Sequence, residues 1–136
     1  MVVRKIIIVL LAITVFQNFY GCTVAVNKSI VSRKNGVLLI CQIMKINNSL
    51  GKHELCRVKG NLYVINESMV EKKLNLRELA LKINNQVCSL DDKWKQLLFE
   101  FKIMPNQIIK FEINTKYAGT LKNNDFCIEI IWPKGM

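Results

Sequence analysis

One histidine, His53, occurs in 136 residues, and it sits in the polar stretch Ser49-Leu50-Gly51-Lys52-His53. A serine or cysteine nucleophile needs a positioned base, and zinc needs three or four ligands, so a lone imidazole leaves both chemistries short of donors. No glycine-rich phosphate loop is present. The lysines stand singly rather than in runs of five or six, and no aromatic-basic module accompanies them, which speaks against a nucleic-acid partner. The apolar run over 6–16 falls well short of the roughly 20 residues of a spanning helix, so no stable transmembrane anchor is expected. Asp91-Asp92 reads as a solvated turn rather than a catalytic carboxylate pair. These absences predict a protein that is not an enzyme, with no cofactor and no metal. Internal repeats, low-complexity segments and a second-domain linker are absent too.

What is present starts at the amino terminus. Arg4 and Lys5 precede the apolar run, and a short polar stretch leads to Gly21 and Cys22. That is the layout of a secretory signal peptide over 1–21, with a single mature domain over 22–136 that is secreted, extracellular or lumenal. Cleavage after Gly21 leaves five cysteines; cleavage after Ala25 has better-placed small residues and leaves four. Phe-Tyr-Gly-Cys also resembles the lipid-attachment box of a bacterial lipoprotein, with Phe where an aliphatic residue is usual. In an oxidising compartment the cysteines read first as disulfide partners, four bridging and one left over.

The whole chain carries a formal net charge of +10. Without Arg4 and Lys5 there are eighteen basic against ten acidic residues, a net +8 that favours anionic partners. Sequons at Asn27, Asn47 and Asn66 agree with a secreted glycoprotein.

After the leader, the chain reads as strands. Residues 37–41, 61–65, 97–104, 108–116 and 126–132 are short and rich in aromatic and β-branched residues. Phe99, Phe101 and Ile103 alternate with Glu100 and Lys102; Ile109, Phe111 and Ile113 alternate with Lys110 and Glu112. Period two means one buried and one wet face. Asn35-Gly36, residues 104–107 and residues 118–125 supply turns. The stretch 68–83 is ambiguous: Ser68 to Glu71 fits a helix capping box, yet Leu74, Leu76, Leu79, Leu81 and Ile83 alternate as a bulged strand would. Strand is preferred.

The cysteines carry a family resemblance. Cys56-Arg57-Val58-Lys59-Gly60 before residues 62–65, Cys88-Ser89-Leu90 before the aromatic strand, and Asp125-Phe126-Cys127-Ile128-Glu129-Ile130 at the close resemble the ML lipid-recognition domains, the family of the Niemann-Pick type C sterol carrier and the group 2 mite allergens. Ser89 stands where that family has proline, Cys88 lacks a nearby partner, and the loop between Cys41 and Cys56 is long. The resemblance implies an all-β, immunoglobulin-like sandwich, disulfide-linked through Cys22–Cys127 and Cys41–Cys56 with Cys88 left free. It also implies a sterol, fatty acid or other lipid held between the two sheets for transport or recognition.

Sheets that splay turn their inner faces into a cavity lining. The candidate lining residues are Val64, Phe99, Phe101, Ile103, Phe111, Ile113 and Ile130, each of which suits a filled core equally well. The rival expectation is a secreted recognition protein of self-incompatibility type, without a lipid, that meets a cell-surface receptor through its basic face. Cys41 followed by residues 50–55 faintly resembles that group.

Overall fold

The computed structural model describes residues 22–49, 55–90, 100–122 and 125–134. The expected signal peptide, His53, Asp91-Asp92 and Phe99 lie outside them. Nine strands follow one another: β1 (Cys22–Lys34), β2 (Val37–Asn48), β3 (Leu55–Asn66), β4 (Lys72–Leu74), β5 (Ala80–Ile83), β6 (Gln86–Ser89), β7 (Phe101–Ile103), β8 (Ile108–Ala118) and β9 (Ile128–Ile131). All pairings are antiparallel, in a four-stranded sheet β1-β2-β3-β8, a three-stranded sheet β6-β5-β9 and the pair β4-β7. The all-β expectation stands. Among the described residues no helix is long and apolar enough to cross a membrane.

Local chemistry sets the turns. Asn35 and Gly36 both adopt positive φ, 51° and 81°, as the two-residue β1–β2 hairpin requires, and Asn84 and Asn85 do the same between β5 and β6 at 46° and 69°. Pro105 and Asn106, the latter at φ 60°, occupy the central positions of the β7–β8 turn, closed by the Gln107 N–H donating to the Met104 carbonyl at 3.1 Å. The segment 68–83 is no helix. It forms β4, a turn over 76–78 and β5, and all five of its alternating apolar residues are buried.

The inner faces meet in one core. Val37, Leu39, Cys41, Ile43 and Ile46 from β2 pack with Val58, Leu62 and Val64 from β3, and with Leu81, Ile83 and Ile130 from the smaller sheet. Gly60 marks a close crossing: a Cβ there would lie 2.0 Å from the Gln42 carbonyl oxygen. Beside it β2 bulges between Ile43 and Lys45, which bends the sheet.

The expected disulfide linkage is not seen among the described residues. Cys41 stands opposite Leu62 while Cys56 stands opposite Asn48, seven positions further along β2. At ~3.3 Å per residue that is ~23 Å, against the ~7 Å that a bridge can span between Cα atoms. Cys22 lies opposite Asn48, six positions before Lys28, and it is Lys28 whose ammonium donates to the Phe126 carbonyl next to Cys127. Roughly 20 Å of strand therefore separates Cys22 from the neighbourhood of Cys127. Cys41, Cys56, Cys88 and Cys127 are free thiols, the first three buried and the last exposed.

Candidate anion-binding face

Register brings four cations together on the outer face of the four-stranded sheet. Lys45 on β2 stands directly opposite Lys59 on β3, and Arg57, two residues before Lys59, stands directly opposite Lys116 on β8. Each is exposed because its neighbours in sequence, Ile46, Val58 and Thr115 among them, turn inward. Asn47 and Asn114 complete the two rows: Asn47 faces Arg57 and Asn114 faces Lys59. Among the described residues the nearest carboxylate on this face is Glu112, diagonal to Lys59 and two rows away from Arg57 and Lys116. The ion pair formed among described residues lies elsewhere, Arg33 Nε to Glu67 Oε1 at 3.0 Å.

The bulge shapes the ground beside this quartet. Next to the β2 bulge the outer sheet surface dips into a shallow hollow of about 380 Å³ bordered by Met44, Lys45, Lys59, Asn61, Glu112 and Asn114. Like charges directly opposed on a sheet destabilise it by about 0.2–1 kcal/mol per pair. An anion bound over the two rows would offset that repulsion.

The sequence-predicted lipid-lining residues come together, but as core. Val64, Ile103, Ile113 and Ile130 are all buried in the single apolar cluster, and Phe101 and Phe111 are half-buried against it. Those two rings meet edge to face, with centroids 5.4 Å apart and planes at 83°.

The sequons divide. Asn27 is exposed on the outer face of β1 and Asn47 is half-buried in the row of Arg57 and Lys116. Asn66 is fully buried, at 0% exposure. Its Nδ2 donates to the carbonyls of Val70 at 2.8 Å and Ile103 at 2.9 Å, while its Oδ1 accepts from the N–H and hydroxyl of Ser68 at 2.9 and 2.6 Å. In this fold that nitrogen is enclosed and bonded to two carbonyls, which leaves no room for a glycan on it. The described residues contain no cluster of three or more metal-ligating side chains.

The quartet escaped the sequence reading, which took the lysines as scattered singly. The available signal was the spacing Arg57-x-Lys59 and Asn114-x-Lys116 on outward positions, but alignment with Lys45 depends on the β2–β3 register. No family model, curated protein or solved structure matches this chain.

Proposed function

We propose that this protein is a secreted, non-enzymatic recognition module that holds an anionic partner, a cell-surface receptor with an acidic patch, on the outer face of its four-stranded sheet. One observation carries the reading: Lys45, Arg57, Lys59 and Lys116 are set in two opposed pairs with no carboxylate between them. Close like charges on rigid strands are a preorganised positive field, which steers an acidic partner and fixes its register. The absence of a second histidine and of a phosphate loop in the sequence supports recognition over catalysis.

The test is binding to an acidic model ligand, polyglutamate, across a salt series. The wild-type chain is expected to bind more weakly as salt rises, and Arg57→Gln with Lys59→Gln is expected to lose about tenfold or more in affinity while the fold survives. Salt-independent binding, or binding that the double variant retains, would sink the proposal.

A second reading keeps the ML-like immunoglobulin sandwich with a lipid between its sheets. The half-exposed Phe101–Phe111 pair favours it, because a ring pair at the margin of a core is where splaying sheets would open. Phe101→Leu is then expected to change the affinity for a fluorescent fatty acid. Native mass spectrometry that found the purified chain lipid-free, with no saturable uptake of fatty acid, sterol or phospholipid, would retire that reading.

A further inference from the structure

At the opposite end of the sheet from the quartet, two connections lie side by side. The amide of Asn66 ties the β3–β4 connection to the end of β7 through the Val70 and Ile103 carbonyls. Its backbone accepts from the Asn106 N–H at 2.8 Å and donates to the Gln107 carbonyl at 3.2 Å. The two loops are thereby held as one tip, and that tip is apolar: Met69 is 96% exposed, Val70 58%, Met104 54%, and Ile108, which opens β8, 64%. Apolar side chains scattered singly over a surface need no explanation, but four at one pinned end do.

Cations stand just behind them. Lys73 and Lys102 face each other directly in the β4–β7 pair, Lys72 stands opposite Ile103, and Lys110 follows Ile108 by two positions on the same face of β8. The carboxylates nearest the tip are Glu67, which is engaged by Arg33, and Glu71; Glu100 and Glu112 stand two positions behind Lys102 and Lys110 on the same faces. A soluble anion would use the lysines and leave the apolar tip wet. An apolar protein groove would take the tip and gain nothing from two opposed lysines. A lipid surface with anionic headgroups accepts both in one approach, apolar side chains below the headgroup plane and ammonium groups level with it.

We infer that the end of the molecule built from Met69, Val70, Met104 and Ile108 docks into an anionic lipid bilayer, with Lys73, Lys102 and Lys110 against the headgroups. The burial of Asn66 serves this directly. It stiffens both loops, and it keeps a glycan off a sequon that would otherwise hold the tip away from the membrane. The inference stands apart from the receptor reading, because Ile108 and Lys116 are eight positions apart on β8, or ~27 Å.

Co-sedimentation of the full chain with phosphatidylcholine vesicles, with and without phosphatidylserine, tests it. Binding is expected to need phosphatidylserine. Met69→Ser with Met104→Ser, at exposed positions that leave melting unchanged, is expected to weaken it by about tenfold or more, and Lys73→Gln with Lys102→Gln by a similar factor. Lys59→Gln with Lys116→Gln should leave vesicle binding alone while weakening polyglutamate binding. The inference is overturned if phosphatidylserine vesicles fail to bind, or if both tip variants bind as the wild type does. It is overturned equally if only the Lys59 and Lys116 changes release the vesicles, since the lipid would then be a ligand of the quartet.

Discussion

At the scale of single residues the cysteines show how burial decides chemistry. Cys41, Cys56 and Cys88 point inward and pack as small apolar side chains. Burial pushes the Cys41 thiol from 9.0 up to about 12. Burial also raises Cys56, with backbone groups of Leu121 and Asn47 pulling the other way, and it raises Cys88. Reactivity belongs to the thiolate, so these three are protected even in an oxidising compartment. Of the four described thiols, Cys127 alone is expected to react with a chromogenic disulfide reagent in the native protein. The others should follow only on unfolding. The sign of the pH dependence follows from the raised value: the neutral thiol is favoured by the fold, so its contribution is complete below pH 9.0 and is lost between pH 9.0 and about 12. For Cys41 that loss amounts to at most about 4 kcal/mol. Denaturant titrations on both sides of pH 9.0 should show it, and Cys41→Ala should show a smaller fall. An equal fall in both proteins would contradict this account.

The same residues mark where sequence reading stops. Cysteine count and a secretory layout pointed to bridges, because in small secreted domains cysteine usually means cross-linking. Whether two thiols meet is set by register, which composition does not carry. Cys41 and Cys56 are on adjacent strands and face the same core, and they still lie six pairs apart. Asn66 fits a sequon in sequence, while in space it is the buried clasp between two loops. A capping residue and a glycan acceptor look alike until the partners of the amide are known.

At the scale of elements, alternation was legible wherever it was unbroken. Strand β8 keeps Ile109, Phe111 and Ile113 inward against Lys110 and Glu112, so its period was plain. Strand β1, the longest, was missed because its inward row, Val24, Val26, Lys28, Ile30 and Ser32, contains a lysine and a serine. Both polar groups are satisfied across the layers. The Lys28 ammonium donates to the Phe126 carbonyl and stands 4.7 Å from that ring's centroid, and the Ser32 hydroxyl accepts from the Trp132 indole at 2.8 Å. Tertiary partners thus made inward positions out of residues that read as polar punctuation. The quartet belongs to this scale as well, and it carries a stability test. If Lys59 repels Lys45 across the ladder, Lys59→Gln should stabilise the free protein by about 0.2–1 kcal/mol at low salt, with the gain fading as salt rises. Gly60→Ala, one residue on, should destabilise it by about 3 kcal/mol, since the added carbon meets the Gln42 backbone rather than a movable side chain. A destabilised Lys59→Gln would mean that Glu112 already neutralises the site.

At the scale of the whole molecule, the two larger sheets touch along both margins. On one side β8 meets β6: the Asn114 N–H donates to the Leu90 carbonyl at 3.1 Å, and the Thr115 hydroxyl donates to the Ser89 carbonyl. The amide of Gln86, in the orientation its neighbours require, bridges the Ala118 N–H and carbonyl at 3.2 Å each. On the other side β1 meets β9, where the Lys28 and Trp132 side chains reach across. The first margin includes a main-chain bond, from the Asn114 N–H to the Leu90 carbonyl, whereas the Lys28 and Trp132 bonds of the second come from side chains. Edges held by side chains open more readily than ladders, because nothing couples one contact to the next. Hydrogen exchange is therefore expected to show β1 opening at lower free energy than β2, β3 and β8, with β2 still protected by its ladder to β3. Removing the indole's acceptor with Ser32→Ala should cost about 1 kcal/mol in global stability, and more if the indole N–H is left dry. It should also speed exchange in β1 well beyond its effect on β3. Uniform acceleration across all four strands would instead mean that the sheet opens as one unit, and that the β1–β9 margin is no weaker than the rest.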